Sequence, residues 1–403
     1  MDAVFTESMK KTHTIVLPEM LEYHFPILKA ALIRGGYKAD ILSNSGSSVM
    51  HHGKKYVNND MCFPAVSIIG QMIDSLKKGI CDPDKTAFLL PQAGGACRAP
   101  NYYHLLKRAL KNAGYPHVPV ISLNLSGLNT QPGFKITPKM IKAAIISVMT
   151  GDLLMHLHQY VKPRAADSNE PDKLLKKWQL RLCNDISTGK IHSMRNLRPL
   201  YREILNSFAE IKMKRIPASK IGIVGELYIK YCSIGNFDIE NFLYSHNCEI
   251  KTIGFSIYSL YIIQSVFYDT KNGFLLKKGA SILLKKLSTY LKELCDKVAC
   301  SKTFPMMPDY EEFSKRAEKI LAKNCITGDG WLISAEASVL IEHGFDKIIC
   351  LNPFGCLVSH INCKGISGAL RRKYHCASIT NIDCDPDTSL GLYHSRVLMA
   401  INA

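Results

Sequence analysis

The pattern that most restricts the fold is an alternation of short apolar runs with longer amphipathic stretches. In the first third of the chain, the apolar residues of these longer stretches recur at helical spacing. Buried strands are predicted at residues 14–17, 39–42, 86–90 and 118–123. Strands separated by helices favour a parallel sheet covered by helices. We therefore expect an N-terminal α/β domain at residues 1–135.

The alternation stops and then returns. In residues 137–209 the apolar residues recur at helical spacing, with a break at Pro163, and no strand pattern is found. Residues 136–216 are therefore predicted to be a helical connector. A second α/β domain is expected at residues 217–403, with strands at 220–226, 248–253, 347–351 and 378–383. The chain is thus predicted to be α/β, with two doubly wound domains joined by helices.

Three cysteines lie in loops of the kind that bind ligands. Cys62 ends a polar loop, and Pro64 behind it is typical of a helix start. Cys97 and Cys356 follow predicted strands, and the carboxyl ends of parallel strands are where open α/β folds bind ligands. A helix start favours an anion such as a thiolate. The three loops could converge on an interdomain cleft.

The residues alone leave alternatives open. A single cysteine is most often a small buried hydrophobic residue, and no CxxC spacing occurs among the 14 cysteines. Outside Cys62, Cys97, Cys356, Cys232 and Cys363, we assign the cysteines to that role. The segments 45–48 and 51–52 are interpreted as flexible and polar. Glu226, at a strand end, is interpreted as a base or as the partner of a lysine.

Six motifs resemble the 2-hydroxyacyl-CoA dehydratase superfamily. They are NNDMCFP (58–64), QAGGACRAPNY (92–102), VISLN (120–124), VGE (224–226), PFGC (353–356) and IDCDP (382–386). The similarity extends from about Ile15 to Met399 and is greatest to the C-terminal region of large acyl-CoA dehydratase activase-related proteins. The resemblance implies two Rossmann-like domains with an oxygen-sensitive iron–sulfur cluster in the cleft between them.

The resemblance also implies the cluster ligands. In the superfamily three cysteines hold a [4Fe–4S] cluster and leave one iron without a thiolate, and here they correspond to Cys62, Cys97 and Cys356. Arg98 would stabilise the anionic cluster. Relatives in the double-cubane branch carry two linked cubanes and need more thiolates, for which Cys232 and Cys363 are the further candidates.

The expected function follows from the resemblance together with a motif that the chain lacks. The large relatives carry ATP-binding activase modules, but no G-x-x-x-x-G-K-[ST] loop occurs here. A separate ATP-hydrolysing activator would therefore pass a low-potential electron to this protein, which would use it in reduction or radical dehydration. The alternatives are a catalytic 2-hydroxyacyl-CoA dehydratase subunit with an acyl-CoA substrate, or a cluster-free scaffold that binds a partner. The superfamily also suggests a homodimer or heterodimer.

Composition narrows the partners. The formal net charge of +17 favours an anionic partner, such as a CoA-type substrate or an acidic protein. No nucleic-acid motif is found, so no nucleic-acid partner is expected. No N-terminal signal is visible, and the longest apolar run, 254–268, is shorter than the roughly 20 residues of a membrane span. We predict a cytoplasmic protein without a membrane span, with 254–268 as a buried helix.

Overall fold

The computed structural model describes residues 3–58, 60–91, 97–123, 131–214, 216–269 and 272–403. Its described strands form two parallel sheets of four strands each, which confirms the α/β prediction. The first sheet contains β1 (Thr14–Leu17), β2 (Lys38–Ile41), β3 (Thr86–Pro91) and β4 (Val120–Leu123), and the second contains β5 (Ser219–Gly225), β6 (Cys248–Thr252), β7 (Lys347–Pro353) and β8 (Ser378–Cys384).

Both sheets have the same strand order. The first runs β2-β1-β3-β4 and the second β6-β5-β7-β8, so in each the chain adds strands on one side and then on the other. The central strands β3 and β7 are almost wholly apolar and buried, as parallel strands covered on both faces must be. The reversal points lie between β1 and β3 and between β5 and β7, where open parallel sheets form their ligand crevices.

Helices connect the strands and fill the region between the sheets. They are α1 (Met9–Thr12), α2 (Phe25–Arg34), α3 (Ser47–Tyr56), α4 (Phe63–Lys77), α5 (Tyr102–Ala113), α6 (Pro138–Val161), α7 (Glu170–Ser187), α8 (Met194–Ala209), α9 (Leu227–Tyr231), α10 (Ser233–Asn236), α11 (Ile239–Ser245), α12 (Phe255–Tyr268), α13 (Phe274–Ser301), α14 (Tyr310–Ala317), α15 (Leu332–Glu342), α16 (Leu357–Ser359), α17 (Ser367–Lys373) and α18 (Leu390–Asn402). Helices α6, α7 and α8 occupy the expected connector. The two predicted boundaries between the three domains stay predictions.

Helix α6 is the core of this connector. It is long and apolar enough to cross a membrane, but 72% of its most apolar stretch is buried inside the protein, as in the core helix of a soluble fold. Its polar side chains from Ser147 to Gln159 are buried with it, and Ser147 donates to the carbonyl of Ile27 in α2 at 3.3 Å. The prediction that the chain has no membrane span stays a prediction.

A close crossing of α3 and α4 positions the loop that carries Cys62. Of the segment interpreted as flexible, residues 47–48 and 51–52 belong to helix α3 and residues 45–46 precede it. Two glycines remove the side chains that would separate α3 from α4. A Cβ built on Gly53 would lie 2.2 Å from the carbonyl oxygen of Val66, and one on Gly70 would lie 2.3 Å from that of Val49. The sequence alone did not indicate this packing, since α3 is mostly polar.

We expect Gly53→Ala to lower the free energy of unfolding by about 1–3 kcal/mol, because its methyl group would push α3 away from α4. Urea unfolding measures the change. Gly279→Ala is the matched control: Gly279 is also helical but has no atom within 4 Å of an added Cβ. That variant should gain about 0.5–1 kcal/mol from helix propensity. Similar effects in the two variants would contradict the crossing.

A buried polar network ties the first half of the chain to the connector and to the second half. The hydroxyl of Tyr23 lies 2.9 Å from Nδ1 of His158 and donates to Glu240 at 2.9 Å. The Nε2 atom of His158 lies 2.9 Å from Asp172. Burial, with the charge of Glu22 as a smaller cause, raises the pKa of Glu240 to about 7.

We expect Glu240→Gln to change how stability depends on pH. The folded pKa of Glu240 lies above its ordinary 4.5, so its contribution is complete below pH 4.5 and is lost as pH rises through about 7. Relative to wild type, the variant should therefore become more stable between pH 5 and pH 8 in urea unfolding.

Glu203→Gln is the control for that measurement. Its hydrogen bond from Arg181 lowers the pKa of Glu203, so its contribution is lost as pH falls, and solvent exposure keeps the effect small. A Glu240→Gln profile parallel to wild type would contradict the assignment.

Candidate functional site

The carboxyl edges of the two sheets meet at a direct backbone contact. The N–H of Phe63, the first residue of α4, donates to the carbonyl of Phe354 at 2.9 Å. Gly355 follows with φ of 73°, and a Cβ there would lie 3.1 Å from the Cα of Cys62. Only glycine combines this conformation with this approach at low cost. The loop that carries Cys356 is therefore held against the loop that carries Cys62.

Cys62 lies where the sequence places it, directly before a helix. It is the N-cap of α4 in an extended conformation, and Pro64 is in the first turn. Its thiol is buried and lies 2.8 Å from the hydroxyl of Tyr102, the first residue of α5. Two helix starts from the first half of the chain thus converge on this sulfur.

Cys97 and Cys356 have the same local environment as each other. The backbone N–H of Ala99 donates to the sulfur of Cys97 at 3.5 Å, and that of Ser359 donates to the sulfur of Cys356 at 3.5 Å. Both thiols are half-buried. Each sulfur accepts from the first turn of a helical segment, the arrangement that stabilises negative charge on a thiolate.

Arg98 joins two of these loops. Its side chain is exposed, and its guanidinium donates to the carbonyl of Asp60, two residues before Cys62. The contact explains why an arginine follows Cys97. Of the predicted motifs, Asn59, residues 92–96 with Gly94 and Gly95, and Asn124 lie outside the described residues.

The three thiols share one electrostatic environment. Burial is the main cause that raises the pKa of Cys62, Cys97 and Cys356, and the charge of Glu226 adds to the rise in all three. Cys97 acts on Cys62, and Cys62 acts on Cys356. The thiols therefore hold their protons at neutral pH, and a metal that binds them must displace those protons.

Asp329 is a further acid of this site that the sequence reasoning missed. It is buried, and its charge acts on Cys97 and Cys356. Burial, followed by the charge of Glu226, raises its pKa to about 8. Gly328 and Gly330 on either side both have positive φ, so the Gly-Asp-Gly sequence was the signal available for this turn.

Glu226 holds the start of α9 at the end of β5. Its carboxylate accepts from the N–H of Ile229 at 3.1 Å. Burial raises its pKa, and the hydrogen bonds from the helix start oppose the rise. Lys230 also opposes this rise, but its ammonium pairs with Glu336, so both predicted roles of Glu226, base and partner of a lysine, stay predictions.

A buried ion pair lies behind these acids. The ammonium of Lys230 contacts both carboxylate oxygens of Glu336, at 2.7 and 2.9 Å, and both side chains are almost fully buried. Lys230 also opposes the rise in the pKa of Asp329. It is thus a buried cation beside the three thiols and three carboxyl groups in the described part of the site.

We expect Lys230→Met to lower the free energy of unfolding by about 3–5 kcal/mol, because Glu336 would be left buried without its cation. The double variant Lys230→Met/Glu336→Leu should recover most of that loss. Lys315→Met, which breaks the exposed pair with Glu311, is the control and should cause a much smaller loss. An equal loss in both single variants, measured by urea unfolding, would contradict the assignment.

The described residues contain no ready site for a single metal ion, and the predicted cluster stays a prediction. Among the described residues, no three His, Cys, Asp or Glu side chains could hold one metal ion together. A cubane has its irons at separate corners, so its thiolates surround it instead of meeting at one point. Three thiols from three loops, each with an N–H donor or a hydroxyl beside it, fit that requirement in kind.

The other cysteines divide differently from the prediction. All 14 are free thiols. Cys300 and Cys376 are exposed, so their assignment as buried hydrophobic residues was wrong, because they lie at the end of a helix and in a surface turn. Cys232 lies against the carbonyl of Glu19, and Cys363 lies beside Cys350. After burial, the charge of Glu22 raises the pKa of Cys232, and Cys350 and Glu336 raise that of Cys363.

Cys384 is closer to the site than the sequence suggested. It ends β8 opposite Pro353 and accepts the N–H of Phe354 through its carbonyl at 2.8 Å. The charge of Glu226 contributes, after burial and Asp383, to raising the pKa of its thiol. It had been assigned to a purely structural role.

Neither a scan against protein-family models nor a search among curated proteins returns a match for this chain. The resemblance to the 2-hydroxyacyl-CoA dehydratase superfamily therefore stays a prediction.

Proposed function

We propose that this protein is an iron–sulfur protein of the 2-hydroxyacyl-CoA dehydratase and activase-related type. It would accept a low-potential electron from a separate ATP-dependent activator and use it in reduction or radical dehydration. The observation that carries the proposal is the grouping of Cys62, Cys97 and Cys356, which are far apart in sequence but share one electrostatic environment. The [4Fe–4S] cluster would lie between the carboxyl edges of the two Rossmann-like domains.

The protein's own groups would hold and tune such a cluster. Cys62, Cys97 and Cys356 would bind it as thiolates, and the N–H groups of Ala99 and Ser359 would donate to two of the sulfurs. When bound, the cluster supplies one-electron chemistry and an iron that has no protein thiolate. Hydrogen bonds to cluster sulfurs raise its reduction potential, so these donors set how strong a reductant it is.

Asp329 would hold a proton beside the cluster and could donate it. At neutral pH Asp329 holds its proton, since its pKa is about 8. A protonated carboxyl group can donate to a leaving hydroxyl, as elimination of water requires. This observation favours the second candidate function, a catalytic 2-hydroxyacyl-CoA dehydratase subunit, over a component that only transfers electrons. The cluster-free scaffold has no use for buried acids beside thiols.

We expect protein purified without oxygen to contain about four irons and four sulfides per chain, and Cys97→Ala to lose most of them. Iron and acid-labile sulfide are measured after the same anaerobic reconstitution. Cys300→Ala is the matched control, because Cys300 is exposed and lies at the end of α13, far in sequence from the three loops. It should keep the wild-type iron content.

Three outcomes would change the proposal. About eight irons per chain would indicate the double-cubane form, with Cys384 joining Cys232 and Cys363 as ligand candidates. A change in the visible spectrum when an acyl-CoA is added would favour the catalytic subunit. Absence of iron after reconstitution would overturn both redox functions and leave the scaffold, for which partner binding should be unaffected by Cys62→Ala.

A further inference from the structure

Five large apolar side chains are exposed together at the outer end of the hairpin formed by α12 and α13. They are Phe274, Leu275, Leu276, Ile282 and Leu283, which we call the apolar tip. Phe274 and Leu275 are 77% and 81% exposed. The other half of α13 is anchored, since Leu287, Leu291 and Leu294 are buried. Soluble proteins seldom expose a contiguous apolar patch of this kind without a binding role.

Helix α12 extends this surface. The sequence predicted a buried helix at residues 254–268, but only its first half is packed in the core. Ile262 and Tyr268 are exposed, and the residues between them are half-buried. The prediction was thus right about the helix and wrong about its outer half, because the hairpin extends beyond the core that covers its base.

The charged residues around the apolar tip are mainly lysines. Between residues 254 and 292 the sequence contains six lysines and one acid, Asp269. Helix α12 has no charged residue, and α13 has no acid before Glu293. Lys278, Lys285 and Lys286 are exposed, and none of these three is in an ion pair with a residue that the structure describes. A partner for this surface must therefore be anionic.

The geometry of the first turn of α13 distinguishes between anionic partners. At 100° per residue, Phe274, Leu275 and Leu276 point in directions spread over about 200°. A partner protein that docks on one face of the helix would cover two of them and leave the third in water. A second copy of this chain would also bring lysines against lysines. A lipid interface surrounds an inserted helix end on several sides and accepts lysines at its headgroups.

We propose that the apolar tip binds the surface of an anionic lipid bilayer, with Phe274, Leu275 and Leu276 inserted at the interface and the lysines at the headgroups. The protein would then be peripheral, attached by the α12–α13 hairpin with no segment crossing the bilayer. This inference is independent of the proposed iron–sulfur function, because it uses no residue of the three cysteine loops.

The test is co-sedimentation of the full chain with vesicles. Binding is expected to vesicles of phosphatidylcholine containing about 30 mol% phosphatidylglycerol, to weaken as salt is added, and to be much weaker with phosphatidylcholine alone. The double variant Leu275→Ser/Leu276→Ser should bind at least about tenfold more weakly, because two inserted leucines are lost. Lys285→Gln/Lys286→Gln should also lose about tenfold or more.

Matched controls distinguish vesicle binding by the hairpin from non-specific hydrophobic or electrostatic adsorption. Leu180→Ser removes a leucine that is 73% exposed on α7, and Lys176→Gln/Lys177→Gln removes two neighbouring exposed lysines from the same helix. Both should bind vesicles like wild type. All substituted side chains are exposed, so circular dichroism should show unchanged folding.

Several results would overturn the proposal. If both lysine pairs reduce binding equally, attraction is due to net charge alone. If Leu275→Ser/Leu276→Ser leaves vesicle binding intact but changes a dimer to a monomer in sedimentation velocity, the surface is an interface between copies. Failure of wild type to bind anionic vesicles would exclude a lipid surface as the partner of the apolar tip.

Discussion

The contact of Gly355 with the backbone of Cys62 is the constraint on which the site depends. It forces the loop after β7 to pass within van der Waals distance of the start of α4, and the hydrogen bond from Phe63 to Phe354 fixes the register of the two loops. Phe63 then packs on Phe237 from the second half, with ring centroids 6.0 Å apart. The described strands of the two sheets do not pair with each other, yet both sheets contribute side chains to one buried core.

That contact has an electrostatic consequence. It brings together thiols and acids whose burial raises their pKa values, with Lys230 as the nearby cation and itself paired to Glu336. Such a donor-rich group is stable only while most of its members stay protonated or while a positive centre replaces their protons. The first condition describes the metal-free protein, and the second describes an iron site. The proposed function thus gives a physical reason for an arrangement that would otherwise only reduce stability.

Most of the fold could be predicted because parallel strands covered on both faces are continuous apolar runs, and all eight described strands lie where that pattern placed them. What failed depends on long-range packing. Helix α3 is polar and is held by Gly53 against α4, a contact no local pattern reports. Asp329 joins the site because its Gly-Asp-Gly turn folds back toward β5, far away in sequence. The cysteines before helical turns were predictable from local signals, but their distances to one another were not.

The charge distribution separates two regions of the molecule. The protein carries +17 overall, yet the described part of the site is rich in acids, whereas residues 254–292 in the α12–α13 hairpin contain six lysines and one acid. Long-range attraction therefore guides anions to the outer surface rather than to the site. Burial raises the pKa of Glu226, and it raises the pKa of Asp329 to about 8. Asp329 is therefore uncharged near neutral pH, so the same burial that costs stability lowers the negative charge beside the cysteines.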